Sequence, residues 1–168
     1  GYDEYRDILK RFNLKFEQQD LPTIALGTKE NSLYNLTAAY NMIASKGQSI
    51  PATTILSIEN SAGEVVYEYK EPKNKQVISE EDAFLLTDMM TGMFDATLSD
   101  YSPATGLSIR PKITHTYAGK SGTTETDQWM IGYSPTLTAG VWNGYDKDKL
   151  LTNQTDLAAT KRIWIDFM

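Results

Sequence analysis

The stretch Ala118-Gly119-Lys120-Ser121-Gly122-Thr123-Thr124 holds the residue types best suited to chemistry, and Asp127-Gln128-Trp129-Met130-Ile131-Gly132-Tyr133 follows closely. One lysine stands among hydroxyl side chains and glycines, in a segment that reads as a strand leading into a second strand. A cationic, hydroxyl-rich strand edge suits a site that grips a carboxylate and polarises a carbonyl. Its bare glycine leaves room for a ligand backbone to lie alongside. A serine nucleophile should stand opposite such a strand.

Two other chemistries fail on the same residues. A phosphate-cradling loop needs a glycine where Thr114 stands, and a helix where another strand follows. A nucleophile elbow centred on Ser121 would end on Thr123 instead of glycine, and it lacks the strand-to-helix turn. His115 is the only histidine, so a Ser-His-Asp relay would rest on it alone; it reads better as an ordinary strand residue. There are no cysteines, which excludes disulfides and thiolate metal sites, and no metal or organic cofactor is expected. A formal net charge of −6 with no basic cluster argues against a nucleic-acid partner. No apolar run reaches the ~20 residues of a membrane span.

The elements that must carry this strand read as follows. Tyr2, Tyr5, Ile8, Leu9 and Phe12 recur at helical spacing, with Asn13 as the stop. Leu21 to Glu30 is a loop, and Ser32 caps a second helix bearing Leu33, Leu36, Tyr40 and Ile43, closed by Gly47. Thr53–Ile58 and Val65–Tyr69 form a hairpin around Asn60–Gly63, and the polar run Lys70–Gln76 is an exposed connector. Ser79 starts a third helix with an acidic first turn, whose Leu85, Leu86, Met89, Met90 and Met93 read as core. After an irregular stretch from Asp95 to Pro111, strands are expected at 114–123, 128–133 and 137–143. A last helix opens at Thr155 or Asp156 and presents Leu157, Ile163, Trp164 and Phe167 as one apolar face.

Nearly the whole chain resembles the C-terminal half of the transpeptidase domain of class A penicillin-binding proteins. The resemblance is carried by Ala118–Thr124, Asp127–Pro135 and Gly140–Asp146, by Ala25-Leu26-Gly27-Thr28 with Leu36–Tyr40 and Lys46-Gly47, by Ser79–Met90, and by Ile163–Met168. It implies an α+β fold: an antiparallel β-sheet flanked by helices, β-lactamase/transpeptidase-like, with only the downstream half of the domain in hand. Residues 1–111 would be a helical region with a β-hairpin, and 112–168 three sheet strands and the C-terminal helix. It further implies a peptidoglycan D,D-transpeptidase on the outer face of a bacterial cytoplasmic membrane, acting through an acyl-serine and binding β-lactams. Its partners would be peptidoglycan stem peptides, β-lactams and the missing upstream half of the same domain. On this resemblance Lys120, Ser121 and Thr123 are the catalytic candidates, with Gly122, Thr123 and Thr124 binding substrate.

The family also requires S-x-x-K, which carries the nucleophile, and S-x-N. Neither occurs: Ser61 leads to Glu64, Ser79 to Asp82, and Ser57-Ile58-Glu59 is the nearest approach to S-x-N. The chain alone is therefore expected to be inactive. The alternative is a non-catalytic module of a degenerate penicillin-binding protein that binds peptidoglycan or a partner. Without the upstream strands, one sheet edge and an apolar helix face should lack their cover.

Overall fold

The computed structural model describes residues 1–17, 22–27, 29–147 and 149–168; Leu21 of the expected loop and Thr28 of the resemblance lie outside them. Helix α1 (Tyr2–Arg11) ends where expected, because Asn13 takes the left-handed conformation (φ 58°) that its short amide tolerates. Ser32 caps α2 (Leu33–Ala44) by accepting the Asn35 N–H at 3.1 Å. Gly47 after it has φ 78°, and a Cβ there would stand 2.4 Å from the Ile78 carbonyl oxygen, so only glycine fits. Phe12, Ala39, Met42 and Val77 bury together at this end of the molecule.

Strand β1 (Gln48–Ser49) follows, and β2 (Ser57–Glu59) pairs with β3 (Val65–Glu68) as the hairpin. The first hairpin strand is shorter than expected because the Thr53 hydroxyl closes a local turn on Ile55. Within the presumed connector, β4 (Lys75–Gln76) pairs antiparallel with β1. Ser79 caps α3 (Glu80–Thr91) through the Asp82 N–H at 3.0 Å. Short 3-10 turns cover much of the irregular stretch, the last running Leu107–Lys112.

The main sheet contains β5 (Ala118–Thr123), β6 (Asp127–Tyr133) and β7 (Thr138–Gly144), antiparallel and in that spatial order. Helix α4 (Gln154–Phe167) packs on one face and α2 on the other. Both helices meet glycine: a Cβ at Gly132 would strike Trp164 of α4, and one at Gly140 would strike Thr37 of α2. Phe94, Tyr117, Met130, Trp164 and Ile165 form the core under the α4 face. Among the described residues β5 and β7 are the outer strands, and neither outer edge is paired.

Two expectations about the core are corrected. In α3, Leu85, Leu86 and Met89 are exposed and only Met93, beyond the helix, is buried; Ala83 marks the face that packs inward. In α4, Trp164 buries with Thr160 and Ile165, whereas Ile163 (54% exposed) and Phe167 (67% exposed) lie on a different face. Helical spacing groups residues into stripes, but it does not say which stripe has a partner.

Candidate active site

The site is built on the outer edge of β5. Thr124 N donates to the Asp127 carbonyl at 3.0 Å, which makes those two a hydrogen-bonded pair. Such pairs alternate along an antiparallel ladder, so Ala118, Lys120 and Gly122 turn their backbone groups toward β6. Gly119, Ser121 and Thr123 turn theirs to the free edge. Lys120 Nζ reaches round and donates to the Ser121 carbonyl at 2.7 Å, so an ammonium stands on that edge near the Thr123 N–H. No carboxylate pairs with Lys120 among the described residues. Lys161 is pushed down from the usual lysine range, first by burial and then by the positive charge of Lys120.

The hydroxyls have distinct partners. Ser121 Oγ donates to Thr105 Oγ1 at 3.0 Å, and Thr123 Oγ1 donates to Gln128 Oε1 at 3.1 Å. Thr124 Oγ1 donates to Asp127 Oδ1 at 3.0 Å and accepts the N–H groups of Thr126 and Asp127. The Thr124 hydroxyl therefore holds the β5–β6 turn closed, and its one proton is used inside the turn. Gly122 lies flat against Trp129, whose Cβ stands 3.2 Å from where a glycine Cβ would be.

The expected residues Lys120 to Thr124 thus come together on one strand end. Sequence reasoning gave no role to four residues that brace it. Asp127 Oδ1 also accepts Trp129 Nε1–H at 3.0 Å, Trp129 meets Trp142 edge to face, and Gln128 lies buried across from Thr123. The signal available was Asp two residues before Trp, spaced to share a strand face. His115 stands off this edge: it is exposed, bonds Thr114 Oγ1, and helps line a cleft of about 560 Å³ with Thr87, Tyr117, Tyr133 and Leu137. No group of acidic or imidazole side chains among the described residues is arranged to hold a metal ion.

Residues 3–164 match the family model for the penicillin binding protein transpeptidase domain. The chain belongs to that family. It is 45% identical over 159 residues to penicillin-binding protein 2D of Bacillus subtilis, which covers 95% of this chain and 23% of the relative. It is 32% identical over 172 residues to penicillin-binding protein 2a of Streptococcus pneumoniae, covering 95% of this chain and 22% of the relative. The chain therefore spans about a quarter of the length of the relatives it matches. Penicillin-binding protein 1A of Haemophilus influenzae superposes over 100% of this chain and 30% of its own, with a TM-score of 0.86 at 22% identity. Penicillin-binding protein A of M. tuberculosis, solved as an imipenem acyl-enzyme complex, superposes over 99% of this chain and 42% of its own, with a TM-score of 0.70 at 17% identity. The mixed helix and strand architecture with its antiparallel sheet is that of these transpeptidase domains.

Proposed function

We propose that the outer edge of β5 is one wall of the active site of a serine peptidoglycan D,D-transpeptidase. The observation that carries the reading is the Thr123 N–H, which has no partner among the described residues, beside the Lys120 ammonium on an open strand edge. In the proposed reaction a serine from outside these 168 residues attacks the carbonyl of a D-Ala-D-Ala peptide bond. The terminal D-Ala leaves with a proton, and the acyl group passes to an amine of a neighbouring stem peptide. The Thr123 N–H donates to the oxyanion, a contact often worth ~3–4 kcal/mol in the transition state. Lys120 supplies positive charge for the substrate carboxylate and the proton network, with the Ser121 and Thr123 hydroxyls at the same edge. Gly122 lets the peptide backbone approach.

β-Lactams acylate the same serine in this reading. The setting is the outer face of a bacterial cytoplasmic membrane, with the anchor and nucleophile supplied by other parts of the protein. No helix among the described residues is long and apolar enough to cross a membrane. The test is labelling with a fluorescent penicillin, read on a denaturing gel. The intact protein that contains this segment should take the label covalently, and the 168-residue chain alone should not. A labelled 168-residue band would place the nucleophile inside it and overturn the division of labour; an unlabelled intact protein would overturn the activity.

A further inference from the structure

We infer that Gln128 is the positioning residue that lets the Thr123 hydroxyl receive the substrate carboxylate. The inference rests on the carboxylate-binding reading above. Gln128 is only 5% exposed and stands directly across from Thr123 in the β5–β6 ladder. A threonine hydroxyl has one proton, and Thr123 now gives it inward to Gln128 Oε1 at 3.1 Å. With its proton held there, the Thr123 hydroxyl has nothing to offer an anion on the free edge, where only the backbone N–H is available.

A half-turn of the carboxamide exchanges Oε1 for the Nε2–H group. Gln128 then donates to Thr123 Oγ1, and the hydroxyl proton swings outward to the carboxylate. No covalent bond forms or breaks; one hydrogen bond reverses direction and a second, to a charged acceptor, is gained. The charged acceptor makes the outward state the stronger one, and the inner N–H polarises the hydroxyl further. Burial matters here, because little water can reach Gln128 to take over either role. A carboxamide is the side chain of this length that can both accept and donate at that point.

The test measures second-order acylation constants of the intact transpeptidase domain with benzylpenicillin and with its methyl ester, which lacks the charged carboxylate. Gln128→Met should slow acylation by the acid about tenfold while changing the ester by less than about twofold, in keeping with loss of one hydrogen bond to a charged group. Thr123→Val should slow the acid at least as much as Gln128→Met does, and the double variant should be no slower with the acid than Thr123→Val alone. Gln128→Asn keeps a neutral carboxamide but is one methylene too short to reach Thr123 Oγ1, so it should also lose the acid selectively; it keeps the test should Gln128→Met not fold. Equal losses for acid and ester in the Gln128 variants would mark a structural brace and overturn the inference. So would no loss at all. A wild-type domain that benzylpenicillin does not acylate would remove the carboxylate-binding reading itself.

Discussion

Gly132 and Trp164 lie closer than any side chain at position 132 would allow: a Cβ there would stand 2.5 Å from Trp164 Cζ2. The Trp164 ring is fully buried, its Nε1–H donates to the Ala139 carbonyl at 3.1 Å, and it stacks on Phe94 with centroids 6.0 Å apart. Phe94 in turn would contact a Cβ at Gly119, the residue before Lys120. The closing helix is thus joined to the site strand by continuous packing.

Trp164→Ala should destabilise the intact domain by ~3–5 kcal/mol, the range for deleting a fully buried large aromatic side chain. Gly132→Ala should cost ~1–3 kcal/mol by overpacking the same contact. Urea unfolding measures both. An unchanged midpoint for either would mean that α4 does not seat on the sheet as described.

Lys120→Ala should abolish penicillin acylation with little change in melting temperature. The side chain is exposed and its one bond is to a neighbouring carbonyl, so it contributes little to folding. Acylation at the wild-type rate would show that this ammonium does not serve the site.

Asp127→Ala should loosen the turn that ends β5. The Trp129 indole N–H and the Thr124 hydroxyl both lose their shared acceptor, at a cost of about 1–3 kcal/mol. The indole proton resonance of Trp129 should move, and hydrogen exchange at Thr124 and Asp127 should quicken. An unmoved resonance would show that the carboxylate is not the brace.

Burial raises the Tyr133 phenol above its ordinary value near 10, with the Thr87 hydroxyl opposing the shift; Tyr40 is raised by burial and then by Tyr133. Each phenol holds its proton more tightly folded than unfolded. Stability should therefore be flat with respect to these two groups below about pH 10 and fall above it. Tyr133→Phe should make that alkaline fall shallower in denaturant titrations repeated across pH. An identical slope would contradict the assignment.

Much of the fold was legible because local chemistry decided it. Ser32, Ser79 and Asn13 end their helices through bonds and conformations their own side chains supply. The antiparallel pairing of the last two strands was equally plain from Ser134-Pro135-Thr136, where Ser134 N donates to the Leu137 carbonyl at 2.9 Å. The exposed apolar side chains of α3 and α4 were not legible, because burial depends on what lies opposite a helix. In the site, residue types exposed Lys120 to Thr124, but the direction of each hydroxyl depended on cross-strand register. That register sets Thr123 against Gln128 and folds Thr124 back on Asp127.

The most direct measurement is a crystal structure of the intact domain acylated by a penicillin. The acyl carbonyl oxygen should lie ~3 Å from the Thr123 backbone nitrogen, with the ligand carboxylate at the Lys120–Thr123 edge of β5. An acyl group whose carbonyl is held elsewhere, with the Thr123 N–H still free, would contradict the assignment of this edge as the active-site wall.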